Sequence, residues 1–391
     1  MADAPALHLL VGEVAGFLDA SWGREPRHVA ATADRAAVAE LLTIDDVDRM
    51  VACSGLRAPA FRLVEQGRTL PQASVTRQVR IGSRPVADLV DTAAVHRAVA
   101  DGATLVLQGL HRSFPPVAAF CRDLERTLTH PIQANAYLTP PVAQGLDLHG
   151  DPHDVFAVQT YGTKRWVVHP PGGGDPWDLE LTPGDVLYLP AGVRHAAQTV
   201  GTPSLHLTIG VRTITWRQLL DRALGDALSG LDGLDRPLPA AWADEPAILD
   251  ARLRDRLAEV AARLRASGDL CAVAEAEAER FWSGRTPDLT GGLRDLLEVD
   301  HLDDHTTLRR RTDLRTTLTT TDDGRVEVVL PDRVMRLPAA VRPALERILA
   351  ARVLRPGDLD DLMDTDSRAV LCRRLVREGI LTVDRGGVAG D

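Results

Sequence analysis

Two histidines and an aspartate in the middle of the chain have the residue types and the spacing of a metal site. His149-Gly150-Asp151 is a His-x-Asp motif, and the segment PGDVLYLPAGVRH runs from Pro183 to His195. Two imidazoles and one carboxylate form the ligand set that holds a non-haem Fe(II) and leaves coordination positions open. On a strand, alternate side chains share a face, so the two ligands of the first motif would point the same way. We predict His149, Asp151 and His195 as metal ligands; the alternative is an ordinary barrel with incidental polar residues.

His153 is a rival ligand. If a strand continued unbroken past Asp151, His153 would share its face and could form a ligand pair with His149. Pro152 and Asp154 favour a local bend that would aim the imidazole of His153 elsewhere. We therefore predict that His153 faces the substrate or supports the ligands, and that it does not bind the metal.

The single lysine of the chain, Lys164, lies fifteen residues after His149. A GC-rich coding sequence explains the abundance of arginine but not the one lysine that remains. A 2-oxo acid can fill two open positions of the iron and supply electrons for O2 chemistry, and its far carboxylate then needs a cation. We predict that Lys164 and the hydroxyl of Tyr137 bind that carboxylate. A solvated strand-end cation is the alternative for Lys164, while His169 and His206 are predicted as a loop residue and a barrel-wall residue.

The elements that must position these residues are short strands separated by Gly and Pro turns. Many short strands with regular turns are typical of a sandwich or barrel. With ligands on facing strands, we predict an α+β chain built on a double-stranded β-helix, the cupin jelly roll. The predicted strands are 133–139, 149–159, 165–169, 178–181, 185–189, 195–200 and 204–211. Before them we predict helices at 13–22, 43–51, 83–99 and 115–127 and strands at 60–64, 74–81 and 103–108.

In the second half of the chain the spacing of apolar residues changes from that of strands to that of helices. Residues 215–279 have helical spacing, and such helices bury little alone and often pair across a two-fold axis. For residues 308–383 we predict a hairpin around 322–324, helices at 338–350, 356–363 and 365–378, and a strand at 380–383. Three helices with β-wings indicate a winged helix. Residues 301–391 contain sixteen acids and sixteen arginines, so we favour a protein-contact or structural role over reading DNA.

Length and composition narrow the class of protein. A chain of 391 residues predicts two or three domains. No apolar run approaches the roughly 20 residues that span a bilayer, and the N-terminus does not resemble a signal peptide. Four scattered cysteines favour a reducing, cytoplasmic compartment. The net charge of −10 disfavours nucleic acid and favours a basic partner.

The central segments resemble the JmjC-type ribosomal oxygenases of the cupin superfamily, which are Fe(II)- and 2-oxoglutarate-dependent hydroxylases of ribosomal proteins. The resemblance is specific over about 133–216 and looser outside this range. It is carried by NAYLTPP at 135–141, His149-x-Asp151, DVFAVQ at 154–159, GTKRW at 162–166 and the segment that ends at His195.

The resemblance implies a role for each matching residue. The family's metal ligands fall on His149, Asp151 and His195. Its cosubstrate and active-site residues fall on Lys164, Tyr137, Asn135 and Ser204. The family order implies a catalytic JmjC domain with its lead-in at 1–214, a helical dimerisation region at 215–300 and a winged-helix domain at 301–391, hence a homodimer. The sequence departs from the family pattern at two places, and both bear on which substrate is bound. His153 stands where members often have an aromatic or acidic residue, and the loop at 170–177 is short.

The function predicted from the sequence is that of an oxygenase that uses Fe(II), O2 and 2-oxoglutarate to hydroxylate a side chain of a protein or peptide. Arg or His of a basic ribosomal protein is the substrate that the resemblance implies, with Asp147 and Asp154 expected to form an acidic groove. Two alternatives stay open: a hydroxylase of a peptide natural-product precursor, and a non-catalytic binding protein with a degenerate barrel and a winged helix.

Overall fold

The computed structural model describes residues 4–141, 147–199, 201–266 and 271–385. The chain forms two compact units, which meet in the sequence between Ile214 and Thr215. A further division of the second unit at residue 300 stays a prediction. No helix in the described ranges is both long enough and apolar enough to cross a membrane.

The first unit contains six α-helices among its described residues: α1 Pro5–Val11, α2 Val14–Ala20, α3 Ile44–Cys53, α4 Thr92–Ala100, α5 Leu110–Ser113 and α6 Pro115–Leu128. Its strands up to residue 139 are β1 Arg27–Val29, β2 Phe61–Glu65, β3 Arg68–Thr69, β4 Thr76–Ile81, β5 Arg84–Val90, β6 Thr104–Leu107 and β7 Ile132–Thr139. The strands that follow are β8 Asp154–Gly162, β9 Lys164–His169, β10 Trp177–Leu181, β11 Val186–Leu189, β12 Arg194–Gln198 and β13 Ser204–Val211.

Two sheets build the barrel. The larger has eight strands in the order β1-β11-β8-β13-β7-β6-β2-β3, and the smaller has three in the order β10-β9-β12. Strand β8 is buried from Asp154 to Thr160, as expected of a strand covered on both faces. Phe156 packs on the lead-in helices through Phe17, at 5.8 Å between ring centroids, while its neighbour Val155 belongs to the inner core beside Trp166. The predicted jelly roll is confirmed.

The helix predicted at 83–99 is wrong in its first half. Residues Arg84–Val90 form β5, which pairs antiparallel with β4, and only α4 is helical. The two residues between Ile81 and Arg84 are Gly82 and Ser83, and Gly82 has φ of 61°. A two-residue loop that contains glycine in this conformation is a hairpin signal, and it outweighs the apolar spacing of the segment.

The strand predicted at 149–159 begins only at Asp154. Residues 149–153 form a loop that makes a single antiparallel bridge, between His149 and His195. Pro152 has no backbone N–H to donate, so the ladder cannot continue through it. Asp154 is 2% exposed and accepts hydrogen bonds from the Tyr188 hydroxyl and from the N–H of Ala191. The prediction that Asp154 lines an acidic groove is therefore wrong.

The second unit has helices α7 Trp216–Ser229, α8 Ile248–Ala266, α9 Cys271–Ser283, α10 Gly292–Glu298, α11 Arg342–Ala350 and α12 Thr365–Arg377. Its strands are β14 Leu308–Arg310, β15 Thr317–Thr320, β16 Val326–Val329, β17 Val334–Leu337, β18 Val353–Leu354 and β19 Leu381–Val383, in sheets β18-β14-β19 and β15-β16-β17. The predicted hairpin around 322–324 is confirmed by the pairing of β15 with β16. The helix predicted at 356–363 is only a 3-10 turn, Pro356–Leu359.

Candidate active site

The three predicted ligands meet where the 149–153 loop crosses β12. The N–H of His149 donates to the carbonyl of His195 at 3.0 Å, and the N–H of His195 donates back at 2.7 Å. The N–H of Gly192 donates to the carbonyl of Asp151 at 2.8 Å. A Cβ on Gly150 would lie 2.9 Å from the carbonyl oxygen of Gly192. Glycine in the His-x-Asp motif thus permits the close backbone approach that brings the ligands together.

The ligand atoms of His149, Asp151 and His195 all lie within 4.8 Å of one another. Nε2 of His195 is 3.6 Å from a carboxylate oxygen of Asp151. Nδ1 of His149 lies 2.7 Å from the carbonyl of Asp147, and Nδ1 of His195 lies 3.0 Å from that of Val193. A neutral imidazole that donates from Nδ1 keeps the lone pair of Nε2 for a metal.

Burial favours the form of His195 that a metal requires. Removal from water lowers the pKa of His195, and the nearby His149 lowers it further. The imidazole is therefore held neutral at ordinary pH, as a ligand must be. Two histidines and one carboxylate are a set that Fe(II) accepts with positions left open, so the residues present fit that ion.

The ligands open into a cavity of about 300 Å³ between the two sheets. Its lining combines the candidate ligands, one lysine, one arginine and several uncharged polar groups. The lining residues are Arg62, Val64, Thr104, Val106, Gln133, Asn135, Tyr137, Thr139, His149, Asp151, His153, Val155, Lys164, Trp166, His195, Ala197, His206 and Thr208.

Cross-strand pairs order the inward side chains of the large sheet into rows. One row consists of Arg62, Val106, Tyr137 and His206. The next rows, each about 7 Å further along the strands, pair Asn135 with Thr208 and Gln133 with Gly210. Lys164 contacts the Thr139 end of this wall, whereas His153, two residues after Asp151, contacts the Gln133 end. The cavity thus has a cationic end and a ligand end.

Lys164 lies at the cationic end and is 4% exposed. Its Nζ lies 3.3 Å from the hydroxyl of Thr139 and 3.4 Å from Nδ1 of His206. No carboxylate of the described residues forms an ion pair with it. Burial lowers the pKa of Lys164 to about 7. The alternative of a solvated cation is wrong, and an unpaired buried ammonium is well suited to an anionic ligand.

His206, predicted as a barrel-wall residue, lies on β13 and also lines the cavity. Its ring stacks on Tyr137 with centroids 4.9 Å apart and planes 7° from parallel. Burial, and secondarily the charge of Lys164, holds the pKa of His206 well below its usual range. Burial also raises the pKa of Tyr137. The available signal was strand alternation, because the directly paired residues His206 and Tyr137 share a face.

Of the two remaining predicted residues, Asn135 lies in the cavity wall and Ser204 does not. Asn135 lines the cavity, and its side-chain oxygen accepts a hydrogen bond from the N–H of Gly109 at 3.0 Å. Ser204 is fully buried, and its hydroxyl accepts from Nε2 of Gln159 at 2.9 Å. Ser204 is absent from the lining of the cavity as the described residues define it. The structure therefore does not bring Ser204 to the other candidate residues.

His153 stands outside the ligand group. Its Nε2 lies 3.1 Å from the amide nitrogen of Gln133, and its ring lies against the backbone of Gly210, where a Cβ would be 2.6 Å from Nε2. The ring faces the cavity from this position.

Comparison with known proteins agrees with this geometry. The sequence model of the family described as JmjC domain matches residues 110–175 and 172–219. The matched residues include the barrel strands from β7 to β13. The expected resemblance to JmjC-type ribosomal oxygenases is confirmed by related sequences and by the fold.

Two relatives illustrate the sequence similarity to the JmjC domain. A protein of Culex quinquefasciatus named bifunctional lysine-specific demethylase and histidyl-hydroxylase NO66 is 36% identical over 117 residues, which cover 25% of this chain and 18% of that protein. Ribosomal oxygenase 2 of Rattus norvegicus is 35% identical over 118 residues, which cover 26% of this chain and 24% of that protein. The chain therefore matches only about a fifth of the length of these relatives.

Solved structures extend the similarity in fold beyond the JmjC domain. The X-ray structure of Escherichia coli ycfD has a TM-score of 0.54 and 19% identity, and the match covers 96% of this chain and 99% of that one. YcfD described as a ribosomal oxygenase in complex with cobalt and 2-oxoglutarate has a TM-score of 0.51 at the same identity.

Proposed function

We propose that this protein is an Fe(II)- and 2-oxoglutarate-dependent oxygenase that hydroxylates an amino-acid side chain of a protein or peptide. One observation carries the proposal: the His149, Asp151 and His195 group and the unpaired ammonium of Lys164 lie in the same cavity. A metal-binding barrel has no need of a buried lysine, and a lysine without a counter-charge is costly to bury. A cosubstrate with a carboxylate and a metal-chelating 2-oxo acid group accounts for both.

In this proposal each residue has a defined task. His149, Asp151 and His195 hold the iron, which when bound supplies the oxidation of a C–H bond to an alcohol with O2 and 2-oxoglutarate. Lys164 and the Tyr137 hydroxyl bind the far carboxylate of the cosubstrate. Charge-assisted hydrogen bonds of this kind are the strong ones in a dry cavity.

Three further residues complete the proposed cosubstrate site. Thr139 and His206 hold the ammonium of Lys164 in position. Asn135, one row closer to the ligands, has an NH2 group with no partner among the described residues and can orient the cosubstrate or the substrate. We leave Ser204 out of the proposed site because it does not line the cavity as the described residues define it.

The substrate class rests on the relatives. Proteins named histidyl-hydroxylase and ribosomal oxygenase match the JmjC domain, which supports Arg or His of a ribosomal protein as the candidate substrate. The protein should be incubated with Fe(II), 2-oxoglutarate and O2, with succinate and bound iron measured. We expect iron binding and slow succinate formation without substrate. A protein that neither binds iron nor forms succinate would leave the non-catalytic alternative.

We further propose that residues 215–300 form a dimerisation region and residues 301–391 a winged helix. Trp216, Leu220, Leu224 and Leu228 recur every four residues on α7 and are 80%, 58%, 40% and 41% exposed. An apolar stripe of this kind on an exposed helix is usually an interface, and a second copy of the chain is the simplest partner. For the C-terminal region, its own core and its two small sheets support the winged helix.

A further inference from the structure

The cavity wall near the candidate ligands is polar but has no free acid. Among the described lining residues, Asp151 is the only acid, and it belongs to the ligand group. We propose that the substrate residue carries an uncharged side chain that both donates and accepts hydrogen bonds, of the amide or imidazole class, and that cations such as arginine and trimethyl-lysine are rejected. This inference rests on the proposed oxygenase function and names its substrate class.

Gln133 and His153 form the first part of this wall. The amide nitrogen of Gln133 lies 3.1 Å from Nε2 of His153, and an amide N–H that donates there leaves Nδ1 of His153 for a hydrogen bond to a ligand. The same amide group keeps its carbonyl oxygen as an acceptor. Gly210 fixes the arrangement, because any side chain there would push the imidazole away. The pair thus presents a ring nitrogen and an amide oxygen for hydrogen bonds to a ligand, and neither side chain is an acid.

Asn135 and Thr208 continue the wall one row towards Lys164. The side-chain oxygen of Asn135 is occupied by the N–H of Gly109, so its NH2 group is the part that remains for a ligand. Thr208 can donate or accept. No group on this face is therefore an anion, and a guanidinium, which can only donate, would find few acceptors.

The charges around the wall also disfavour a cationic substrate. In the loaded site, the charge of Fe(II) and of Lys164 balances Asp151 and the two carboxylates of 2-oxoglutarate. Arg62 then adds an uncompensated positive charge at the cavity, since its Nε donates to Gln108 at 3.1 Å and its Nη1 lies 3.4 Å from Thr69. A substrate guanidinium would find no counter-ion among the described lining residues, since Asp151 belongs to the ligand group, and burial of an unpaired charge is strongly unfavourable.

Two observations on the segment before His149 support the absence of an acid from this wall. Residues 142–146, which lie outside the described ranges, read VAQGL and contain none. Asp147 is exposed, and its backbone carbonyl, not its carboxylate, contacts His149.

Peptide pools test the proposal directly. Each pool contains nonapeptides with a fixed central residue, His, Asn, Gln, Arg or trimethyl-lysine, and flanks randomised over other residues. The pools are passed over the immobilised full chain loaded with Mn(II) and 2-oxoglutarate, and retained peptide is quantified by mass spectrometry. We expect at least one uncharged pool to be retained at least threefold more than either cationic pool. Equal retention of all pools, or preference for a cationic one, overturns the proposal.

A charge variant adds a second readout. Gln133→Glu supplies the missing carboxylate and should raise retention of the arginine pool relative to the best uncharged pool at least threefold. Gln78→Glu, on the exposed strand β4, adds the same charge away from the cavity and should leave the ratio unchanged. An unchanged ratio in Gln133→Glu also overturns the proposal. Succinate formation without peptide separates the two ideas: turnover with preference for arginine contradicts only this inference, whereas absence of iron and of succinate contradicts the proposed function.

Discussion

Nζ of Lys164 lies 3.4 Å from Nδ1 of His206, and the imidazole of His206 in turn stacks on Tyr137. This contact joins the only lysine of the chain to a residue on the opposite wall of the barrel. Because burial keeps His206 neutral, its Nδ1 can accept a hydrogen bond from the ammonium. The pair therefore orients the ammonium without cancelling its charge, which stays available for an anion.

Replacement of Lys164 by Met should weaken 2-oxoglutarate binding while iron stays bound. The loss of one charge-assisted hydrogen bond costs about 1.5–3 kcal/mol, which corresponds to about a 10- to 150-fold higher KM. His206→Phe keeps the stacking on Tyr137 but removes the acceptor, so we expect a smaller rise, about fivefold. Steady-state kinetics and metal analysis measure both effects. A KM unchanged in Lys164→Met would remove Lys164 from the cosubstrate site.

Replacement of His195 by Ala should abolish both iron binding and succinate formation. Only His149 and Asp151 would then remain as protein ligands, and we expect two ligands to be too few to retain the metal. His169→Ala is the matched control, because His169 is half-buried at the end of β9 and lies outside the cavity lining. Iron content by elemental analysis should fall only in the first variant. Full activity in His195→Ala would mean that the third ligand has been assigned incorrectly.

Gly150→Ala should impair the site through the backbone. A Cβ at this position would lie 2.9 Å from the carbonyl oxygen of Gly192, so the 149–153 loop must move away from β12 and the ligand atoms must separate. We expect lower iron affinity and a loss of about 1–3 kcal/mol of unfolding free energy. Gly225→Ala on the exposed part of α7 meets no atom within 4 Å and should stabilise the helix slightly. Iron titration and denaturant unfolding compare the two; equal behaviour would contradict the close-approach argument.

The metal-ligand residues could be predicted from the sequence, but the backbone pairing that brings them together could not. The residue types of His149, Asp151 and His195 indicated a metal group, but the predicted strand from 149 is a loop. Pairing between distant segments, such as the bridge of His149 to His195, depends on tertiary contacts that a local pattern does not contain. Ser204 shows the same limit, because Ser204 and His206 are alternate residues of β13, yet only His206 lines the cavity as the described residues define it.

The affinity for 2-oxoglutarate should fall as pH rises above about 7. In the free protein the pKa of Lys164 is about 7, so below that pH the ammonium is already charged and affinity is constant. Binding of a carboxylate favours the charged form, so the complex must take up a proton at higher pH, at a cost of up to tenfold in affinity per pH unit. Calorimetry with Mn(II) in place of Fe(II) measures this slope. Lys164→Arg, which stays charged, should give a flat profile, and a flat profile in the unmodified protein would contradict the assignment.

The stability of the ligand-free protein should change with pH in the opposite direction. The pKa of Lys164 is lowered in the folded state, from 10.5 to about 7, so between these values the unfolded chain binds more protons and the free energy of unfolding rises with pH. Between pH 7 and pH 9 the neighbours His206 and Tyr137 stay neutral in the folded protein, because burial lowers the pKa of the first and raises that of the second. Lys164→Met should remove this contribution, as measured by denaturant unfolding at pH 7 and pH 9. An equal pH response in both proteins would show that another group is responsible.

Substitution of the α7 stripe should convert the proposed dimer to a monomer. Leu220 and Leu224 are adjacent members of the stripe and are 58% and 40% exposed, so Leu220→Arg with Leu224→Arg places two charges in the centre of an apolar interface. Asp226→Arg introduces an arginine on the opposite side of the same helix and should leave the assembly intact. Light scattering coupled to size exclusion gives the mass of each variant. A monomeric unmodified protein, or a dimer that survives the double substitution, would show that this stripe has another partner.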